Sequence, residues 1–273
     1  MKKYLLFFIC CHVTNILSWS FSETLNNTTE KVSSWVMGKQ ARSSSKEYPV
    51  SATSPVTLNN YSGTIKISSW NKPILLVEAT KKGSEEELNY TKFNVTLNNF
   101  DDHPISITTE SRSKDKKPAV IDYAIIVPKQ APLTVRTEYG DISLQDHNAD
   151  VDLQTLNGSI FIEQAGQNIK AKAPHGSVTV EQNELNSNAS IFLEAEHEIT
   201  LVMPKDANAT MTANTVQGKV ISDTIFITLD PITTKLNKEA YKRMQQHVRG
   251  TTGAGGMPVT LETTKGNITI VGN

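Results

Sequence analysis

The sequence is nearly without cysteine: of 273 residues only Cys10 and Cys11 are thiols, and both lie among the first twenty-two. Everything after that point is therefore barred from forming a disulfide, and its stability must come from packing and backbone pairing. Aromatic residues are only 7% of the chain, and 27 Lys+Arg against 28 Asp+Glu leave a formal charge of −1. Without a basic excess the chain lacks the counterion-displacing footprint of a nucleic-acid binder. Beyond the first twenty-two residues no apolar run is long enough for a membrane span of about 20 residues. No Gly-x-Ser-x-Gly elbow occurs, so the strained turn that exposes a hydrolase serine is missing. Gly250 to Gly256 is glycine-rich but lacks the following Lys-Ser/Thr of a phosphate-cradling loop. It reads as a flexible return into the final strand.

What is present begins with an address. Lys2 and Lys3 precede an apolar stretch from Tyr4 to Ile9, extended by Val13, Ile16, Leu17 and Trp19, which ends at Ser20-Phe21-Ser22. That order is expected of a secretory signal cleaved after Ser22. The alternative, a membrane anchor, is opposed by His12, Thr14 and Asn15 within the run. Ile9 stands before Cys10 where a lipid-acceptor cysteine would follow a small residue. Loss of Lys2 and Lys3 takes the basic residues from 27 to 25 against 28 acidic, a mature charge of −3. Residues 23–47, rich in Ser, Asn and Thr, are expected to be a polar, flexible segment, and 48–273 a single domain.

A repeat organises that domain. Gly140, Gly158 and Gly176 are spaced by 18 residues, each preceded and followed by alternating apolar positions. Leu133, Val135 and Thr137 lead to Gly140, then Ile142 and Leu144; Val151, Leu153 and Thr155 lead to Gly158, then Ile160 and Ile162; Ile169, Ala171 and Ala173 lead to Gly176, then Val178 and Val180. The frame returns around Gly63, Gly218 and Gly266, and without a glycine around His197. Alternation is the period of a strand with one buried face, and a glycine between two such strands marks a corner. Units of this size bury their apolar stripe only by stacking, which predicts an all-β, irregular β-solenoid with equivalent residues of successive coils in ladders. The last alternating position before each corner reads Asn60, Thr137, Thr155, Ala173, Ala195, Thr215 and Thr263, small residues that suit a crowded inner corner, with some hydroxyls bonding to backbone. A β-sandwich is the competing architecture. Residues 74–128 hold longer strands separated by charged loops, expected as a broader sheet beside the first coil. Leu236, Ala240, Met244 and Val248 make one apolar stripe, predicting a helical insertion over 235–249.

Three stretches carry a family resemblance: Val56 to Ile67 with Val77 to Lys82, Asp122 to Leu144, and Val259 to Ile270. They resemble a bacterial domain-of-unknown-function family of β-strand-repeat, adhesin-like proteins related to auto-transporter adhesin head domains. The likeness spans about residues 48–273. It implies an exported or envelope-attached β-solenoid, and brings no catalytic residue to transfer.

Candidate chemistry is sparse. Asp141, Asp146, Asp150 and Asp152, with His147 among them, lie within twelve residues; Asp141, Asp150 and Asp152 are the candidate acid, base or calcium ligands of a polysaccharide-processing face. Asp101-Asp102-His103 is a weaker cluster of the same kind. His175 and His197 fall at or beside corners of successive coils and could share a metal, though a zinc site normally needs three or four ligands. Trp35 and Trp70 are possible sugar-stacking platforms. The sequons at Asn27, Asn94 and Asn267 follow from the Thr- and Asn-rich strand composition. No cofactor is expected. The reading that follows is an extracytoplasmic protein (periplasmic, surface or secreted) of adhesin-like binding or scaffold role. Its ligand would be a protein or polysaccharide of the cell envelope. The alternatives are a carbohydrate-active enzyme on a β-solenoid and a periplasmic assembly or regulatory partner docking through 235–249.

Overall fold

A computed structural model describes residues 31–32, 40–97, 104–111, 117–223, 226–227 and 245–273. Among them the strands form two sheets of 11 strands each. Seven strand–corner–strand rungs connect the two sheets, each named here by its corner residue. They are Gly63 (Val56–Ser62, Ile65–Trp70), Gly140 (Leu133–Tyr139, Ile142–His147), Gly158 (Val151–Asn157, Ile160–Ala165) and Gly176 (Ile169–Ala173, Val178–Glu181). His197 (Ile191–Ala195, Ile199–Met203), Gly218 (Ala209–Thr215, Val220–Ser222) and Gly266 (Met257–Thr263, Ile268–Gly272) complete the set. Neighbouring rungs pair in parallel: Leu153 lies opposite Val135 on one side and Ala171 on the other. This is the stacking the 18-residue period predicts, and parallel pairing rules out the antiparallel sandwich.

Alternation along each strand sends every second side chain between the sheets. Val135, Leu153, Ala171, Leu144, Ile162 and Val180 have no exposed surface. Each large member stabilises the fold by about 1.5–3 kcal/mol through burial.

The corners have a single logic. The carbonyl of each corner residue points at the corner Cα of the next rung. A Cβ at Gly140, Gly158 or Gly176 would lie closer than 3.0 Å to the carbonyl oxygen of Gly63, Gly140 or Gly158 respectively, and one at Gly266 would meet that of His197. Among the six corner glycines positive φ holds only at Gly63 (127°) and Gly140 (135°). Elsewhere the requirement is space. The same carbonyls accept hydrogen bonds from the small polar residue three before the next corner: Thr155 Oγ1 donates to Gly140 O at 2.7 Å, Thr215 Oγ1 to Gly266 O at 2.9 Å, and Asn60 Nδ2 to Ile121 O at 3.0 Å.

Four expectations need correction. Residues 40–47, read as flexible, belong to the ten-residue strand Gln40–Pro49, paired antiparallel with Ile74–Gly83. Its Ser-rich pattern has no apolar alternation, but Ser43 Oγ lies 2.9 Å from Thr80 Oγ1 and the pairing satisfies its backbone. In the region expected to be a flanking sheet, Ile105–Ser111 and Val120–Pro128 pair in parallel with the two strands of the Gly63 rung, so they form a further rung. The charged loop at 81–87 contains the start of a helix, Glu85–Tyr90, begun by a capping box between Ser84 and Glu87. Leu236, Ala240 and Met244 lie outside the described residues. Gln245 and Gln246 are helical, but Val248 lies beyond the helix: it is buried in the strand His247–Thr252, whose inward residues alternate against Ala209–Thr215. Residues 1–22, expected to be a secretory leader, likewise lie outside the described part.

Spatial order departs from chain order at both ends. From one end it runs 105–128, Gly63, Gly140, Gly158, Gly176, His197, Gly266, Gly218. Antiparallel strands close the ends: Ile74–Gly83 and Thr91–Thr96 at the first, and His247–Thr252 on the second sheet at the other. Such strands cover edges that would otherwise template pairing with another chain.

Two substitutions probe the corners. Gly176→Ala forces a methyl into the Gly158 carbonyl, and the expected cost is about 1–3 kcal/mol. Thr155→Val keeps the shape and removes the donor to Gly140, with an expected cost of about 1–3 kcal/mol. Urea denaturation should show lower midpoints for both; unchanged midpoints would contradict the corner geometry.

Candidate functional site

The acidic cluster is dispersed by the fold. Asp141 follows a corner, and its Oδ1 accepts the backbone N–H of Ser159 in the next rung at 2.8 Å. This is one step of a side-chain ladder: Ser177 N donates to Ser159 Oγ at 3.3 Å, Glu198 N to Ser177 Oγ at 3.3 Å, and Lys219 N to Asn267 Oδ1 at 3.0 Å. Asp150 plays the same part at the opposite corner, accepting from Asn168 N at 3.2 Å and Asn168 Nδ2 at 3.0 Å. Asp152 projects from the outer face of the second sheet. Arg136 grips it through Nη1 at 3.1 Å and Nη2 at 2.9 Å, and Lys170 Nζ lies at 3.2 Å. Burial pushes the Asp152 carboxyl up, but these two cations outweigh it and hold it below the usual carboxylate range. Asp146 pairs with Lys129 at 2.6 Å. Each acid thus has its own partner on a different part of the coil. Asp101-Asp102-His103 and Trp35 lie outside the described residues.

His147 is not part of an exposed cluster. Asp146 has a left-handed φ of 53° and the matching Gln164 one of 58°, a two-rung kink that skips one alternation and turns the next residue inward. His147 is fully buried. Its Nε2 lies 3.0 Å from Ala131 O, which can only accept, so Nε2 carries the proton and Nδ1 accepts from Ser69 Oγ at 2.8 Å. Burial lowers its pKa to about 4, against the opposing influence of the Ala131 carbonyl and Asp146.

His175 and His197 do converge, on a carboxylate. Glu196 Oε2 is 3.2 Å from His175 Nδ1 and 4.0 Å from His197 Nε2, while Lys265 Nζ binds Oε1. Lys265 first, and His175 second, hold the Glu196 carboxyl at about 2. The lysine ammonium neutralises the carboxylate a metal would need. Among the described residues no group of three His, Cys, Asp or Glu side chains could hold a metal ion. Trp70 is packed locally, its Nε1 donating to Ile74 O at 2.7 Å.

The feature missed by sequence reasoning is a line on the outer face of the first sheet. Lys66, Ser143, Phe161 and Thr179 are register partners across four rungs. With Thr64, Asp141, Ser159 and Ser177 at the corner they line a shallow depression of about 320 Å³. Phe161 is half-buried there, an aromatic surface with the Ser143 and Thr179 hydroxyls one rung away on either side, about 4.8 Å. Such an arrangement can hold a ligand by stacking and repeated hydrogen bonds. Every member lies three residues after its corner glycine, so aligning the repeat on the glycines would have placed them in one row.

Residues 49–271 match the family described as Toastrack DUF4097. No curated protein matches the chain. Among solved structures, the fold is similar to a candidate cell adhesion protein from Clostridium sporogenes at 13% identity, covering 84% of this chain and 99% of that one, with a TM-score of 0.47. It is also similar to a candidate adhesin from Bacteroides fragilis (11% identity, 85% and 97% coverage, TM-score 0.28) and to a candidate lipid-binding protein from Parabacteroides distasonis (10%, 84% and 96%, TM-score 0.31).

The buried imidazole sets a pH dependence. His147 titrates near 6.5 when unfolded and at about 4 when folded, so the unfolded state binds more protons in between. Its contribution is complete above pH 6.5 and is lost as pH falls from 6.5 through about 4, a loss on the order of 3 kcal/mol. Urea unfolding at pH 7 and pH 4 should show that loss in the native protein and a smaller one in His147→Gln. Equal losses would mean that the histidine is not the group responsible.

Proposed function

The chain belongs to the Toastrack DUF4097 family, and from that membership we propose an exported, non-catalytic protein of the cell envelope or surface, acting as an adhesin-like binding scaffold. The observation that supports this reading best is the row Lys66–Ser143–Phe161–Thr179. It is an outward polar row with one aromatic, repeated by the rung spacing, whereas the acids and imidazoles suspected of chemistry are engaged with structural partners. The stack holds such a row rigidly, so little ordering entropy is lost when an extended ligand lies across it. The ligand class is a protein or polysaccharide of the envelope. A leader ending at Ser22 and the thiol-free remainder are consistent with an extracytoplasmic site. No described helix is long and apolar enough to cross a membrane.

Two experiments test this. Fractionation of the native host should recover the protein from the periplasm, surface or medium with a new N-terminus at Glu23; a cytosolic, uncut chain would overturn the export reading. Binding to purified envelope material should fall roughly ten-fold or more in Lys66→Ala/Phe161→Ala, as loss of a central aromatic contact implies. The carbohydrate-active alternative is addressed by Asp141→Asn/Asp150→Asn/Asp152→Asn. Neither it nor the parent should cleave envelope polysaccharide, and a cleavage abolished by the triple change would replace the scaffold reading with an enzymatic one.

A further inference from the structure

The last rung of the chain is not the last rung of the stack. Met257–Gly272 lies between the His197 and Gly218 rungs, which are consecutive in sequence and joined only by residues 204–208. Val259 faces Ile191 on one side and Met211 on the other, and Ile268 faces Ile199 and Val220. Both walls of the slot therefore come from residues 191–222, completed before the occupant in chain order. The chain reaches the slot over the end of Ala209–Thr215. His247–Thr252 pairs antiparallel on one side of that strand and Met257–Thr263 parallel on the other. The crossing is Gly253-Ala254-Gly255-Gly256, whose glycines have φ of 54°, 74° and 128°. It is fastened to the strand beneath: Ala254 N donates to Asn208 Oδ1 at 2.7 Å, and Met257 N to Asn208 O at 3.3 Å.

We infer that residues 257–273 form an exchangeable rung, which a second copy of this chain can supply when the 253–256 crossing opens. The slot selects its occupant by in-register backbone pairing and by an apolar face matched to both walls. A second copy carries both unchanged. Exchange then preserves every rung contact and alters only the four-residue crossing, the condition under which reciprocal swapping gives a closed dimer. Four extended residues span roughly 13 Å, enough to link adjoining copies.

The test uses the full chain with Cys10→Ser and Cys11→Ser. Thr200 and Thr269 are register partners facing outward across the slot. A Thr200→Cys chain is refolded with a size-tagged Thr269→Cys chain and treated with a short bifunctional maleimide. The expected result is a cross-linked heterodimer at least ten-fold above that from two Thr200→Cys chains. A heterodimer yield no higher than the control overturns the inference.

Discussion

The whole stack depends on how closely two backbones approach at the corner. A corner carbonyl directed at the neighbouring Cα leaves no volume for a side chain, and the oxygen itself needs a donor. Glycine meets the first demand, and a hydroxyl or amide three residues earlier meets the second where Thr155, Thr215 and Asn60 stand. These two conditions bring both sheets to one spacing, and the alternating apolar residues then fall between them. The His197 rung shows the rule from its exception. Its corner is one residue shorter, its own N–H reaches Gly176 O at 3.0 Å, and neither glycine nor hydroxyl is required.

This economy explains what the outer surfaces can do. Hydrogen-bonding side chains along the corners, Asp141 and Asp150 among them, complete the backbone pairing of the next rung. Charged side chains on the second sheet neutralise one another across rungs, as Arg136, Asp152 and Lys170 do. The row from Lys66 to Thr179 on the first sheet is different in kind, with hydroxyls and an aromatic ring at the register of the rungs.

Much of the fold was legible because its period is short and its chemistry repeats. The glycine spacing placed Val135, Leu153 and Ala171 side by side before any coordinates. Stack order was not legible, since each rung offers the same apolar face and the register cannot say which copy follows which after a long excursion. The strand Gln40–Pro49 was hidden because it lies near the edge of the array, with only Lys31–Val32 outside it, and carries Ser, Arg and Lys where a buried strand would carry Val or Ile. The burial of His147 was hidden by a one-residue kink at Asp146, which reverses the inside–outside parity that sequence alternation assumes. Of the candidate site, the acids were visible as residues but not as corner acceptors. The Phe161 row was present as a fixed offset that becomes meaningful only once the rungs are known to be parallel.

The antiparallel closure at the Gln40 end has a consequence for length. A parallel coil grows by offering its last strand as a template for another of the same sense; Ile74–Gly83 and Thr91–Thr96 run the opposite way and occupy both sheets at that end. At that end further coils would have to be spliced between existing ones, not appended, so evolution could lengthen or trim the molecule behind a fixed clasp while that end stayed the same.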